Sequence, residues 1–430
     1  MKIEVCKERN RLVDLHRGNK WDWLHRHEHV CAEAARCGPA AIRWIVTDLF
    51  QRVSDMNNLL VAWDHVVSRS GCTAGPDGLT KEDFAGGLEL EYLRGLKTEL
   101  SEGGYRAGCS KKYRRRKKDG GFRWIHIPDL ADRVVQRAIV QVVQPLLEEI
   151  FDSRSFGYRK HRSRFDAFAL AERLAADSRL VWLAEDLRAA FDNLPLQRVL
   201  QVFQKYVPNA QLTRLVRLAV DTGARRGILQ GGPLSPLLLN IYCHHVLDRP
   251  WRAMVPEIPL LRFADDLLVI CESVQQAEDA RRRLRQLLQP AGLALKASKD
   301  GHATIHRLAK GESLGWLGLD INYFDDGLQF RITESAWDRV YSTLQLRAEF
   351  PSEEDLWECG PQKVVIDWLW QMGPAYRDER RDEVFKNIFR LGRLAGMNLC
   401  PYQEEFKHTW RKAYRQWVRT RKKAAEAATA

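Results

Sequence analysis

Residues 260–270 read Leu-Leu-Arg-Phe-Ala-Asp-Asp-Leu-Leu-Val-Ile, with two adjacent aspartates inside an otherwise apolar stretch. Short apolar runs of this kind are typical of buried β-strands. Because an unpaired charge is expensive to bury, one continuous strand would not place two carboxylates at its centre. A hairpin with Asp265 and Asp266 in its turn would instead present both to a divalent metal. An acidic turn that simply faces solvent is the alternative interpretation.

A second short apolar run, residues 181–187, contains another carboxylate near its end, Asp186. Three carboxylates on two neighbouring strands can hold two Mg²⁺ ions about 3.5–4 Å apart. Such ions activate a hydroxyl nucleophile and stabilise in-line displacement at a phosphate, a reaction that depends on positioning and charge neutralisation. The two runs together therefore predict a site for nucleotidyl transfer.

The composition favours a nucleic-acid partner. Lys and Arg outnumber Asp and Glu by 68 to 56 in 430 residues, and such a surplus suits a polyanion or an anionic membrane surface. The longest apolar stretches, 236–243 and 267–271, fall well short of the roughly 20 residues of a spanning helix. The charged N-terminus lacks the apolar core of a secretory signal. Nine cysteines without a CxxC pair indicate free thiols, so we expect a cytoplasmic protein with no membrane partner.

Helices and strands are mixed over the first three quarters of the chain, and a helical region follows. Residues 1–66 have apolar side chains at helical spacing. Seven of the eight residues at 111–118 are basic; with the turn Asp-Gly-Gly and the alternating stretch 122–127 they predict a basic β-hairpin. Four further helices are expected near residues 333–348, 361–372, 380–396 and 402–424. The predicted fold class is α+β.

Two other features allow more than one interpretation. The segment Gln230-Gly231-Gly232-Pro233 permits a close approach of backbone to a ligand, so that Gln230 would contact a nucleotide; an ordinary loop leading into a helix is the alternative. The closest approach to a metal cluster is His25, His27, His29, Cys31 and Cys37. Their spacing on a helix suits tetrahedral zinc ligation poorly and favours a solvated helix face.

Three segments in order resemble the palm motifs of reverse transcriptases: Asp-Leu-Arg-Ala-Ala-Phe-Asp at 186–192, Gln-Gly-Gly-Pro-Leu-Ser-Pro-Leu-Leu-Leu-Asn at 230–240, and Phe-Ala-Asp-Asp at 263–266. The resemblance is to the bacterial group II intron-like enzymes and runs from about residue 55 to 325. It includes residues 58–80, 117–136, 155–163, 292–299 and 314–319. It implies a right-hand polymerase fold, with fingers and palm built of antiparallel sheet plus helices and a helical thumb. The expected segments are an N-terminal helical extension (1–55), fingers with the start of the palm (56–180), palm (181–325), and helical thumb with a basic C-terminal tail (326–430).

The resemblance also implies roles for individual residues. Metal binding, with two Mg²⁺ ions or alternatively Mn²⁺, falls to Asp186, Leu187, Asp265 and Asp266. Nucleotide binding falls to Lys117 and Arg123 on the triphosphate, Phe191 as steric gate, Gln230 in the pocket, and Lys299 as general acid or phosphate contact. Nucleic-acid contacts fall to Arg159, Arg162, Gly318, Arg411, Lys412, Arg415 and Arg419, although a solvated helix face is an alternative for the last four. Departures from the family pattern at Phe263 and Ala190 leave the metal ligands intact and bear on nucleotide selectivity, whereas the departure at Lys160-His161 bears on the conformation of its loop.

The expected activity is therefore that of an RNA-directed DNA polymerase. Its partners would be a structured non-coding RNA as template, a DNA primer or nascent cDNA, and dNTPs. No endonuclease or RNase H pattern follows the thumb, and residues 1–55 differ from the usual start of intron proteins. Both observations favour a role in anti-phage defence. The alternatives are an intron-encoded maturase, an RNA-binding splicing cofactor with a relic polymerase site, and a template-independent or protein-primed polymerase.

Overall fold

The computed structural model describes residues 20–70, 73–116, 122–176, 178–223, 226–296, 304–324, 327–349, 361–376 and 381–429. Sixteen α-helices occur in these ranges: α1 (Lys20–Cys37), α2 (Pro39–Val53), α3 (Met56–Ser70), α4 (Leu88–Glu102), α5 (Leu130–Glu148), α6 (Arg164–Ala176), α7 (Ala190–Asn193), α8 (Leu196–Tyr206), α9 (Ala210–Val220), α10 (Ser235–Cys243), α11 (Arg249–Met254), α12 (Val274–Leu288), α13 (Glu334–Glu349), α14 (Pro361–Gln371), α15 (Arg381–Leu394) and α16 (Gln403–Thr429).

The strands of the same ranges form three antiparallel sheets. In chain order they are β1 (Ser110–Arg116), β2 (Phe122–Pro128), β3 (Val181–Asp186), β4 (Leu260–Phe263), β5 (Asp266–Cys271), β6 (Ile305–Arg307), β7 (Leu314–Trp316), β8 (Leu319–Phe324) and β9 (Gly327–Ile332). The sheets have the orders β1-β2, β4-β5-β3-β6 and β7-β8-β9. The mixed α+β class predicted from the sequence is confirmed.

The chain divides into two compact units, each discontinuous in sequence. Unit 1 contains residues 1–152, 189–246 and 291–293, and unit 2 contains 153–188, 247–290 and 294–430. The predicted thumb segment lies in the same unit as the β3–β6 sheet. The assignment of fingers, palm and thumb to residue ranges stays a prediction.

Unit 1 is organised around α5. The helix is rich in β-branched residues and is buried over most of its length, and α1, α2, α3 and α9 pack against it. Two buried amides join α5 to α3: Gln141 Nε2 donates to Asn58 Oδ1 at 2.8 Å, and Asn58 Nδ2 donates to the Ala138 carbonyl at 3.2 Å. Such pairing is required because an unsatisfied buried amide is costly.

Unit 2 has an aromatic core beside its two sheets. Phe168 of α6 packs edge-on against Trp316 and Phe330, with ring centroids 5.4 and 5.1 Å apart. Phe330 in turn contacts Trp417 of α16 at 5.6 Å. These contacts attach the C-terminal helix to the β7-β8-β9 sheet and to α6, and α6 also packs against β4 and β5.

None of the helices in the described part of the chain combines the length and the apolar composition needed to cross a bilayer. The six cysteines within the described ranges are free thiols.

In the N-terminal histidine and cysteine group, the expectation of a solvated face is wrong for His27 and Cys31, which are fully buried. His27 Nε2 lies 2.8 Å from the Val142 carbonyl of α5, so this histidine is part of the packing of α1.

Candidate active site

The two adjacent aspartates lie at the turn of a tight hairpin in unit 2. Strands β4 and β5 pair with Phe263 opposite Asp266, which leaves Ala264 and Asp265 as the two turn residues. Ala264 has a φ of 61°. A left-handed backbone at a residue with a Cβ costs on the order of 1–2 kcal/mol and persists only where the surroundings enforce it. The hairpin predicted from residues 260–270 is confirmed.

Strand β3 brings the third carboxylate to the same edge. It pairs with β5 so that Asp186 is the cross-strand partner of Asp266. The next residue, Leu187, donates its backbone N–H to the Asp265 carbonyl at 3.0 Å. The backbones of the three predicted acidic ligands are therefore held together by the ladder itself, and Leu187 is buried beside them.

The electrostatics of this edge are those of crowded negative charge. Burial, followed by the charges of Asp265 and Asp186, raises the pKa of Asp266 to about 7, and Lys296 and Arg164 oppose that rise. Lys296 Nζ lies 3.8 Å from Asp186 Oδ2, and its backbone N–H donates to the Asp186 carbonyl at 2.7 Å. Carboxylates that raise each other's pKa are stabilised in their charged forms when a cation is added.

The donor set fits a hard divalent cation, since Mg²⁺ prefers carboxylate oxygens. Across the described ranges, however, no group of three or more acidic, histidine or cysteine side chains is already gathered around one point. The three backbones are in place, so the carboxylates themselves would have to turn toward a shared ion. Among the residues proposed for metal binding, Asp186, Asp265 and Asp266 are the side chains that would hold it.

The buried ion pair of Arg262 with Asp248 stabilises the turn that carries Asp265. Arg262 is 1% exposed; its Nε donates to Asp248 Oδ1 at 2.8 Å and its Nη2 to Oδ2 at 2.6 Å. The remaining nitrogen, Nη1, donates to the Ala264 carbonyl at 3.0 Å. One guanidinium therefore joins the end of the π-helical turn His244–Asp248 to the left-handed residue next to Asp265.

Glycine is required where a second segment meets the same turn. A Cβ placed on Gly157 would lie 2.4 Å from the backbone nitrogen of Ala264, well inside any normal contact. Phe156, one residue earlier, donates its N–H to the Arg262 carbonyl at 2.8 Å. Residues 155–157 are thus fastened along the hairpin that carries the aspartates.

The basic residues near the turn differ in exposure. Arg159 is 8% exposed and its Nη1 donates to the Ser155 carbonyl at 2.8 Å, whereas Arg162 is exposed. Arg164 donates to the carbonyls of Leu317 and Gln371. Burial, followed by the nearby Arg339, lowers the pKa of Arg164 to about 10, and the negative charge of Asp266 opposes that shift.

Gly318, predicted to contact nucleic acid, lies in the two-residue turn between β7 and β8. Leu317 has a φ of 48° and Gly318 a φ of 84°, which is the pattern of a type I′ hairpin turn. Thr333 Oγ1 donates to the Gly318 carbonyl at 3.1 Å. The thumb residues Arg411, Lys412, Arg415 and Arg419 are all exposed on α16, and the Lys412 ammonium lies 5.6 Å from the centre of the Trp370 ring.

The predicted nucleotide-binding residues that the structure describes lie in unit 1. Phe191 is in α7 and is 8% exposed. The Gln230 carbonyl accepts the N–H of His126 in β2 at 2.7 Å. Gly231, with a φ of 124°, lies so close to the His126 carbonyl that a Cβ would be 2.3 Å from it. For Arg123 only the strand position is described, and Lys117 and Lys299 lie outside the described residues.

The ion pair of Asp248 with Arg262, which stabilises the turn, was not predicted from the sequence. The signal was an arginine, Arg262, inside an apolar strand, because a buried guanidinium requires a partner. The partner itself is 14 residues away, and no local pattern identifies it. The position of Arg164 was not predicted either, because the carbonyls that it contacts, those of Leu317 and Gln371, are also distant in the sequence.

Comparison with known proteins agrees with this geometry. Residues 115–321 match the reverse transcriptase (RNA-dependent DNA polymerase) family. Protein YkfC of Escherichia coli K12 is 26% identical over 309 residues, covering 60% of this chain and 81% of YkfC. The group II intron-encoded protein LtrA of Lactococcus lactis is 25% identical over 213 residues, covering 47% of this chain and 35% of LtrA.

Similarity to solved structures is loose. A partial Cas6-RT-Cas1–Cas2 complex is 21% identical with a TM-score of 0.34, covering 56% of this chain and 41% of that one. An apo telomerase from Candida tropicalis is 13% identical with a TM-score of 0.43, covering 78% of this chain and 74% of that one. The assignment therefore depends on the family match and on the sequence relatives. Residues 115–321 therefore form a reverse transcriptase (RNA-dependent DNA polymerase) domain, and the relatives of the chain include a group II intron-encoded protein.

Proposed function

We propose that the protein extends a DNA primer on an RNA template by metal-assisted nucleotidyl transfer, with Asp186, Asp265 and Asp266 as the metal-binding carboxylates. The observation that best supports this is the register of β3 and β5, which pairs Asp186 with Asp266 while Asp265 stands in the adjoining turn. Three acidic groups on two adjacent strands suit no packing role, because burial and then their mutual repulsion raise the pKa of Asp266.

In the proposed reaction the primer 3′-hydroxyl oxygen loses its proton to water and bonds to the α-phosphorus of a dNTP, and the bond from that phosphorus to the β-phosphate oxygen breaks, releasing pyrophosphate. Two bound Mg²⁺ ions would lower the pKa of the hydroxyl and neutralise charge on the phosphates. The chain's own contribution is to hold the three carboxylates in register. Arg262 and Gly157 fix the turn that carries two of them.

Nucleotide recognition is proposed for residues that the family resemblance identifies. Lys117, Arg123 and Lys299 would bind the triphosphate, since guanidinium and ammonium groups pair well with phosphate oxygens. Phe191 would exclude a 2′-hydroxyl, and Gln230 would line the pocket. The burial of Phe191 supports a fixed ring position, which a steric gate requires.

Nucleic-acid binding is proposed for the exposed basic side chains of unit 2. Arg162, beside the 155–157 segment, and the α16 residues Arg411, Lys412, Arg415 and Arg419 would contact phosphates of an RNA–DNA duplex. Such contacts recognise shape and charge and are insensitive to base sequence.

Template and sugar preference test the proposal directly. The wild-type protein should extend a DNA primer on an RNA template with dNTPs and extend poorly with NTPs. Phe191→Ala should raise NTP incorporation relative to dNTP incorporation by at least about tenfold, because a ring is removed from beside the sugar. Equal discrimination by wild type and Phe191→Ala would contradict the steric-gate assignment, and absence of extension by wild type would contradict the proposed activity.

We further propose that the natural template is a dedicated structured non-coding RNA and that the cDNA serves anti-phage defence. Sequencing RNA that copurifies with the protein, together with phage plaque counts in cells expressing wild type or Asp265→Ala/Asp266→Ala, tests this. One enriched RNA and protection lost in the variant are expected. Enriched intron RNA with unchanged plaque counts would instead favour a maturase.

A further inference from the structure

A short antiparallel pairing attaches a lysine to the end of β3. Residues 294–296 run antiparallel to residues 186–188. Lys296 closes one end of this pairing by donating its backbone N–H to the Asp186 carbonyl at 2.7 Å, and at the other end the Arg188 N–H donates to a backbone carbonyl at 2.8 Å. The backbone of Lys296 is therefore fixed beside one of the three carboxylates proposed to bind metal.

The side chain of Lys296 is held less tightly than its backbone. Its Nζ lies 3.8 Å from Asp186 Oδ2, and the two side chains are 50% and 39% exposed. An ion pair that is this open to water is weak, and a lysine ammonium is carried on a flexible four-carbon stem. The ammonium can therefore leave the carboxylate without any change in the backbone.

Lys296 partly neutralises an edge of the sheet that is crowded with negative charge. Burial, then the charges of Asp265 and Asp186, raise the pKa of Asp266. The charge of Lys296 opposes this rise, and that of Arg164 opposes it less. Arg164 donates to two backbone carbonyls, so Lys296 is the more mobile of the two cations. It is the one that can move when the charge at this edge changes.

A divalent ion and the Lys296 ammonium compete for Asp186, because they use the same carboxylate oxygens and repel each other. We propose that Lys296 is the counter-cation of Asp186 in the metal-free protein and that a divalent ion binds there by displacing it. That the displacing ligand is a divalent ion rests on the proposed function. The ion pair then stabilises the metal-free protein and weakens metal binding by the same free energy.

The test measures Mn²⁺ binding to the full chain, without dNTPs or nucleic acid, from the loss of the electron paramagnetic resonance signal of free Mn²⁺. Lys296→Met should lower the dissociation constant by roughly two- to fivefold, the range expected for an ion pair that is open to water. Lys296→Arg keeps the charge and should bind Mn²⁺ with the wild-type constant. In EDTA, Lys296→Met should unfold at a lower urea concentration than wild type, and saturating Mn²⁺ should close this gap.

The matched control is Lys363 on α14, whose side chain is 49% exposed and pairs with Asp367 on the same helix. Lys363→Met makes the same change in net charge and should bind Mn²⁺ as wild type does. An unchanged or raised dissociation constant in Lys296→Met would overturn the inference, as would equal tightening in Lys363→Met. No Mn²⁺ binding by any variant would overturn it together with the proposed metal site. Tighter binding by Lys296→Met, with no primer extension by wild type, would sink the proposed polymerase alone.

Discussion

Asn in place of Asp248 should destabilise unit 2 and loosen the turn that carries Asp265. The side chains of the Asp248–Arg262 pair are 5% and 1% exposed, and two charged hydrogen bonds of 2.8 and 2.6 Å join them. Each such bond contributes about 1.5–3 kcal/mol, and removing one partner of a buried pair costs about 3–5 kcal/mol. Because Asn keeps one acceptor oxygen, we expect a loss near the lower limit, about 3 kcal/mol, in the free energy of unfolding.

The double variant Asp248→Leu/Arg262→Met separates stability from positioning. Removing both charges leaves no unpaired ion, so the free energy of unfolding should return close to the wild-type value or exceed it. The hydrogen bond from Arg262 Nη1 to the Ala264 carbonyl is also lost. Primer extension per folded molecule should therefore be lower than in the wild type, for the single variant and for the double variant alike. The Mg²⁺ concentration for half-maximal extension should be higher in both.

The assays are urea unfolding followed by circular dichroism, and primer extension over a Mg²⁺ titration. Asp64→Asn is the matched control, since it breaks the Lys20–Asp64 pair of 2.6 Å in unit 1 and should leave the Mg²⁺ dependence unchanged. A loss of less than about 1 kcal/mol in the free energy of unfolding of Asp248→Asn would contradict the stabilising role of the ion pair. A double variant that regains both stability and the normal Mg²⁺ dependence would refute the positioning role.

Three further predictions follow from single contacts. Gly157→Ala should reduce primer extension by at least about tenfold, because its Cβ would lie 2.4 Å from the Ala264 nitrogen and misplaced reacting groups lose rate steeply; unchanged extension would contradict this. Burial, then the charge of Arg52, lowers the pKa of His27 below 6.5, despite the opposing backbone hydrogen bond. Because the folded state disfavours the protonated form, the stability of the protein should fall as the pH drops through 6.5. Thermal melting at several pH values should show a smaller fall for His27→Gln. Arg415→Ala should weaken duplex binding equally for all sequences and lower the salt slope by about one, whereas sequence-dependent loss would exclude a phosphate contact.

Local sequence patterns predicted the elements that carry the site. Two aspartates within an apolar run favoured a hairpin, and the structure has Asp265 in that turn. The basic hairpin was predicted from charge and a glycine turn, and its strands are β1 and β2. The four C-terminal helices were also predicted closely, because each has a regular apolar spacing: α13, α14, α15 and α16.

Contacts between segments that are distant in the chain could not be predicted from the sequence. Nothing local specifies that Asp248 should meet Arg262, or that Gly157 should lie on Ala264, since both contacts depend on how separate segments fold together. The burial of His27 was mispredicted because its alternating neighbours suggested a solvated face, whereas α5 provides the Val142 carbonyl. The roles assigned to Lys117 and Lys299 stay predictions, as both lie outside the described residues.

We propose that Asp186, Asp265 and Asp266 make this chain an RNA-templated DNA polymerase. The most direct measurement is primer extension on an RNA template with dNTPs and Mg²⁺, comparing wild type, Asp265→Ala/Asp266→Ala, and the surface control Asp279→Asn, whose carboxylate pairs with Arg282 on α12. Extension by wild type and the control, with a loss of at least about a thousandfold in the double variant, is the predicted result. Comparable extension by the double variant would contradict the claim, as would no extension by wild type even with RNA copurified from its host.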